Sequence, residues 1–283
     1  MVAGASWIWW IGFHAVVAIL LVGEWFIAPH EKGSRRPVWL VPVMLLVIST
    51  AFGVWIGFTQ GSSHAMEFAA GYTIEVSLSI DNLFVFLVLL QGFQLSQARQ
   101  QQALLWGIGG AIILRGLFII LGVTLLEHFE WVTWLFGVFL LYAAWKLARE
   151  RSPEAAIPAW VRKIQTPSGS LLPIILAVEF TDLLFAVDSV PAVLSVTRNP
   201  FIAYTSNIAA ILGLRSLYVA IASMLERVRF LHIALALLLG FVGVKMLASP
   251  WFDVPVTISL AIIGAILGVC ALANALLPTS ASK

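Results

Sequence analysis

Residues 182–192 read DLLFAVDSVPA, and residues 75–82 read EVSLSIDN. Each stretch sets a second carboxylate six residues after the first, with a small polar residue behind it. Both lie in runs that are otherwise apolar. A carboxylate at a bilayer centre costs about 2.5–3.5 kcal/mol on insertion scales, so such residues face a protein interior or an aqueous cavity. The chain has 283 residues, of which 61% are hydrophobic and 11% charged, and its mean hydropathy is +0.99. Soluble domains carry about a quarter charged residues. The composition implies an all-α polytopic membrane protein and excludes soluble, disordered and fibrous classes.

Apolar stretches recur at 7–28, 38–58, 68–92, 103–126, 131–148, 170–191, 200–222, 231–249 and 254–277. Each is close to the ~20 residues that cross a ~30 Å hydrocarbon core. Residues 1–283 read as a single transmembrane domain of nine spans. The first 20 residues lack a basic n-region and a small-residue cleavage site, so the first helix is expected to be retained. Lys32, Arg35, Arg36, Arg99, Lys146, Arg149, Arg151, Arg162, Lys163, Arg227 and Arg229 fall on one side of this topology. The other side holds Glu67, Glu127, Glu130 and Asp253 with Arg198, and Lys245 is placed near it at a helix end. Lysine and arginine stay cytoplasmic. The N-terminus is therefore expected outside and the C-terminus in the cytoplasm. Trp7, Trp9, Trp10, Trp39, Trp131 and Trp251 read as interfacial anchors.

The two acidic stretches belong to a longer repetition. GGAIILRGLF (109–118) resembles AAILGLRSLY (209–218), aligning Arg115 with Arg215, and Lys146 and Lys245 close comparable spans. The chain divides into two N-terminal helices (1–66), a first three-helix unit (67–148), a cytoplasmic loop (149–169), a second unit (170–249) and a C-terminal helix and tail (254–283). The loop topology makes the two units inverted repeats, a plan of secondary transporters that puts the substrate site near the midplane.

Five acids fall within spans 3 and 6: Glu75, Asp81, Glu179, Asp182 and Asp188. Arg115 and Arg215, in spans 4 and 7, are placed to balance charge. On a continuous helix, residues six apart are separated by about 9 Å of rise and about 120° of turn. Neither Glu75 with Asp81 nor Asp182 with Asp188 can then chelate one ion. Glu75, Ser79 and Asn82 share a face, as do Asp182, Ala186 and Ser189. Either each helix unwinds, with Pro191 as the expected break in span 6, or an ion takes ligands from both helices. Carboxylates, an amide and hydroxyls form a hard oxygen environment, suited to Mg, Ca or Mn. Proton exchange on the same acids is a compatible reading, and structural pairing with the arginines is the plainer one. The histidines are dispersed, with His14 alone inside span 1, and Asn207 carries an amide that must find partners. Cys270 is the one cysteine, so no intrachain disulfide exists.

No phosphate-cradling glycine loop or HExxH is present, and no basic–aromatic patch for nucleic acid, so the chain is not expected to be an enzyme. Aspartyl chemistry would need two carboxylates sharing a proton at about 3 Å.

EVSLSIDNLFVF, EFTDLLFAVDSVPAVLSVTRNPFIAYTSNIAAILGLRSLY and FVGVKML resemble the TerC family of bacterial integral membrane proteins, over about residues 71–247. The family takes its name from tellurium resistance, and several members are linked to manganese homeostasis. The resemblance implies a multi-pass protein of the bacterial inner (cytoplasmic) membrane that exports a divalent cation, Mn²⁺ first, driven by H⁺ or Na⁺. It implies Glu75, Asp81, Asn82, Glu179, Asp182, Asp188 and Ser189 as substrate-binding residues, with Asp81 and Asp188 central. The expected partners are a divalent metal ion, as substrate, and membrane lipid, with no permanently bound cofactor. The alternative is a membrane scaffold in metal or tellurite stress, without flux.

Overall fold

The computed structural model of the chain describes residues 6–27, 39–121, 130–150, 171–225, 230–249, 251–252 and 254–276. Among the described residues the chain forms nine helices and no strand. They are α1 (Trp7–Ile27), α2 (Leu40–Gln60), α3 (Ser62–Gly92), α4 (Gln97–Leu121), α5 (Glu130–Glu150), α6 (Leu172–Val196), α7 (Pro200–Leu225), α8 (Leu231–Ala248) and α9 (Val256–Leu276). The 149–169 loop, all but its first two residues, lies outside the described residues, and so does the side chain of Glu24.

Local sequence sets the joints. Gly61 alone separates α2 from α3, at φ 101°, a left-handed conformation that a side chain would strain. At the α6–α7 turn, the Asn199 side-chain oxygen accepts the Phe201 N–H at 3.0 Å, while Pro200 opens α7 where no donor is needed. Thr197 accepts the Asn199 N–H at 3.2 Å and donates to Glu67 of α3 at 2.6 Å, fastening this turn to the first acidic helix.

Buried polar and charged side chains are gathered within the apolar core, and large apolar side chains cover the outside. Glu75, Asp81, Asn82, Arg115, Asp182, Ser189, Ser206 and Asn207 are buried. Ile8, Ile11, Phe58, Leu135 and Leu272 face outward. That arrangement fits a hydrocarbon surround, where an exposed polar group finds no partner. Among the described residues five helical stretches are long and apolar enough to cross a membrane: Leu40–Gln60, Ser62–Gly92, Ala98–Ile119, Pro200–Ala222 and Thr257–Asn274. Helix α6 falls outside that set with Glu179, Asp182 and Asp188 in its length.

Helices α3, α4, α6 and α7 form the centre. α3 packs on α7 and α6, and α4 packs on α6 and α7. α5 lies along α8, with smaller contacts from α8 to α3 and from α5 to α6. α2 covers α3 and α7, α9 covers α3 and α8, and α1 touches α7.

One expectation is corrected. The break at Pro191 does not occur: α6 is helical from Leu172 to Val196 with Pro191 inside it. Proline removes one backbone bond, and a packed membrane helix tolerates that loss. Lys245 is at a helix end as placed from the sequence, in the last turn of α8, and its side chain turns inward to Asp81.

The α5–α8 seam rests on two glycines. A Cβ at Gly243 would lie 3.0 Å from the Gly137 carbonyl oxygen and 3.1 Å from Leu141. Gly213 on α7 has open space. Gly243→Val is expected to destabilise the protein by about 1–3 kcal/mol through overpacking. Gly213→Ala is expected to stabilise it by about 0.5–1 kcal/mol by removing helical glycine. Thermal unfolding in detergent reads the opposite signs.

Candidate ion site

The centre of the molecule is the guanidinium of Arg115 on α4, 1% exposed. Asp182 on α6 grips it as a fork, its Oδ1 accepting from Nη2 at 3.0 Å and its Oδ2 from Nε at 3.4 Å. Nη1 donates to Glu75 on α3, to Asn207 Oδ1 on α7 at 2.9 Å and to Ser189 Oγ on α6 at 3.1 Å. Asn207 closes the ring, donating from Nδ2 to the second Glu75 oxygen at 2.7 Å. Ser79, one turn after Glu75, donates to Oε1 at 3.3 Å. Every member of this ring is buried, and Glu75, Ser189 and Asn207 are 0% exposed.

Helical periodicity explains the assembly. Glu75 and Ser79 stand four residues apart, on one face of α3. Asp182 and Ser189 are seven apart, two turns of α6, and reach the same guanidinium from successive levels. Arg115 and Asn207 arrive from the flanking helices. Charge-assisted bonds to a planar guanidinium are the strong kind, and the fork fixes orientation as well as energy. Two carboxylates against one guanidinium leave the ring with one formal negative charge in excess. A buried excess charge favours the arrival of a further cation.

A second ionic centre lies apart from the first. Asp81 Oδ2 accepts from Lys245 Nζ at 2.6 Å, with Asp81 5% and Lys245 19% exposed. The other oxygen, Asp81 Oδ1, is buried and has no hydrogen-bond partner among the described residues. Glu179 forms a third acidic position, one turn before Asp182. Both its carboxylate oxygens are buried without a partner among the described residues. It fits because α4 is notched there: any Cβ on Gly110 would collide with the Glu179 carboxylate, and one on Gly107 would stand 3.9 Å from Oε1. A water-sized cavity of ≈ 30 Å³ adjoins this notch, with Gly107, Val178 and Asp182 in its wall.

Of the sequence-derived residues, the structure therefore gathers Glu75, Asp182, Ser189 and Arg115. Asp81 belongs to a different ion pair, and Glu179 stands beside the ring. Asn82 is buried but makes no hydrogen bond to either centre among the described residues. The side chains of Asp188 and Arg215 lie outside the described residues, so the expected Asp81–Asp188 pairing is not visible; the partner seen at Asp81 is Lys245. Among the described residues no three His, Cys, Asp or Glu side chains are gathered as a metal site, because Arg115 stands between the acids.

Asn207 finds the partners its amide requires. Two residues were not singled out by their chemistry. One is Ser79, legible only as a face-mate of Glu75. The other is Tyr204, whose hydroxyl pairs with His14 Nε2 at 2.9 Å while its ring covers Gly116, next to Arg115. His14 also contacts the Trp10 carbonyl oxygen at 2.8 Å through Nδ1.

Residues 60–282 match the family described as "Integral membrane protein TerC family", and the chain belongs to it. It is 34% identical to the "Putative membrane-bound redox modulator Alx" of Escherichia coli strain K12, over 94% of each chain. An uncharacterised membrane protein of Myxococcus xanthus is 35% identical, over 94% of this chain and 91% of its own. A chloroplastic thylakoid membrane protein, TERC, of Arabidopsis thaliana is 39% identical, over 70% of this chain and 58% of its own length. No solved structure matches.

Removing Arg115 leaves buried carboxylates unpaired. Arg115→Met is expected to cost about 3–5 kcal/mol. The neutral triple variant Glu75→Gln/Arg115→Met/Asp182→Asn is expected to regain most of that loss, since interacting sites are not additive. Thermal denaturation of the three proteins, wild type included, measures the recovery; a triple variant no more stable than Arg115→Met would contradict it.

Proposed function

We propose that this chain, as a member of the TerC family, is a secondary transporter that exports a divalent metal cation, Mn²⁺ first, across the cytoplasmic membrane. The observation that carries the reading is the convergence of Glu75 and Asp182, from helices far apart in sequence, on one fully buried cation. The guanidinium holds the place of a substrate ion. When the ion enters, it takes oxygen ligands from Glu75, Asp182, Asn207 and Ser189, and Arg115 withdraws. Carboxylate, amide and hydroxyl oxygens suit Mn²⁺ over softer ions. Asp81, Glu179 and Asp188 would serve along the ion's route or in its shell, and Arg215 would balance charge in the second unit.

The two-fold plan is supported by packing. Exchanging α3–α5 with α6–α8 turns the α3–α7 contact into α6–α4, and α3–α8 into α6–α5. The contacts α3–α6, α4–α7 and α5–α8 map onto themselves. An inverted repeat requires this set of pairs, and its midplane would fall at the Arg115 ring. Nine membrane crossings, N-terminus outside and C-terminus inside, follow from the loop charges. With no nucleotide site in the sequence, H⁺ or Na⁺ is the driving ion. The Escherichia coli relative is named for redox modulation; with one cysteine in the chain, an intrachain dithiol couple cannot form here, and any redox effect would follow from metal balance.

One observation favours a second reading, a scaffold in metal stress: the ring around Arg115 satisfies itself. The two readings part in sealed vesicles holding the purified full chain. Transport predicts saturable Mn²⁺ flux that falls at least about tenfold, or 1.4 kcal/mol in transition-state terms, in Glu75→Gln and Asp182→Asn at unchanged protein content. It also predicts raised cellular manganese when those variants replace the wild type. A scaffold predicts no flux in any of them.

A further inference from the structure

The Arg115 ring leaves one buried charge unexplained. Lys245 is the single formally charged residue of α8, and it spends its ammonium on Asp81 across the seam to α3. That seam is otherwise apolar: Leu83, Leu87, Leu90, Leu238, Leu239 and Val242 belong to one core cluster. On its other flank α8 is locked to α5, where Gly137 and Gly243 bring the two backbones together. The α5–α8 pair is thus a packed unit, and Asp81–Lys245 is its ionic tie to the central helices that carry Arg115 among the described residues.

The tie is incomplete in a telling way. Among the described residues only one Asp81 oxygen is engaged, and the other is buried with no partner. A carboxylate accepts at both oxygens. A lysine head is a compact point charge on a flexible stem, able to release one oxygen without dismantling a fork. Arg115, held through three nitrogens by two acids, an amide and a hydroxyl, has more bonds to give up before it can move.

We propose that Lys245 is a tethered competitor of the transported cation at Asp81, and that its displacement frees the α5–α8 unit from α3. The inference rests on the transport reading given above. It adds a specificity-setting residue that the acidic motifs do not contain, and a direct link from ion binding to movement of one helix pair. Ion occupancy at Asp81 and the Asp81–Lys245 contact exclude each other.

The test is equilibrium Mn²⁺ binding to the purified full chain in lipid nanodiscs, on Lys245→Gln, Lys245→Arg and Asp81→Asn/Lys245→Gln. Without the competitor, Lys245→Gln binds Mn²⁺ with a Kd lower by about tenfold, the shift that about 1.4 kcal/mol produces. Lys245→Arg, whose fork can engage both Asp81 oxygens, binds more weakly than the wild type. The double variant carries no unpaired buried charge and loses the gain of Lys245→Gln. Lys245→Arg keeps the charge and the tie, so it reports even if Lys245→Gln does not fold. A tie that is merely structural gives equal affinities in wild type, Lys245→Gln and Lys245→Arg, with lower melting temperatures for Lys245→Gln; that result overturns the inference alone. Absence of Mn²⁺ binding by the wild type overturns the transport reading, and this inference with it.

Discussion

A guanidinium buried in a bilayer-embedded protein has to be surrounded, because neither lipid nor water is there to receive its N–H groups. Arg115 needs acceptors from every side, and the fold is arranged to provide them. α3 brings Glu75, α6 brings Asp182 and Ser189, and α7 brings Asn207. These helices can cross at the centre only where their backbones come close. Gly71 meets Ser206, and Gly110 makes room for Glu179. Small residues at crossings and polar residues as cross-links are the usual means of joining helices in lipid. The apolar outer faces then follow, since each central helix has spent its polar residues inward.

Much of this was legible in the sequence. The cost of an acid in hydrocarbon singled out Glu75 and Asp182, and the aligned arginines pointed to Arg115 as their counter-charge. Spacing excluded chelation along one helix, and the ring draws its acids from two. The unreadable part is register between helices. Nothing in a helical period says which turn of α8 faces which turn of α3. Lys245 sits in the last turn of its helix, where a lysine ordinarily snorkels to the interface, and only the packed structure turns it toward Asp81. Pro191 misled for a related reason: proline disfavours helix locally, but α6, packed on α3 and α4, stays helical through it. Tyr204 could not be found at all from its own chemistry, because a tyrosine in a span reads as an aromatic anchor. Its partner His14 is 190 residues away in the chain.

The two ionic centres differ in chemistry as well as in place. Arg115 is held by several directional bonds, with its acids and amide already ordered around it. Among the described residues Lys245 makes one hydrogen bond and leaves a carboxylate oxygen without a partner. The first centre is the more extensively bonded of the two, and the second has fewer bonds to break. Their separation also divides the molecule: the first joins α3, α4, α6 and α7, while the second joins that core to the α5–α8 pair.

A ring that satisfies itself argues, at first sight, against a transport site, since a full set of hydrogen bonds invites no ligand. On the proposed transport reading the opposite follows once the carrier without its divalent ion is considered. Two bare carboxylates at the midplane would each carry a penalty of several kcal/mol. A tethered cation would remove that penalty in the unloaded state and yield to a divalent ion in the loaded one. The exchange would then compare two occupied states, whose difference is small, in place of an occupied and an empty one, whose difference is large. On that reading, the internal salt bridges of this protein would be the condition for reversible binding.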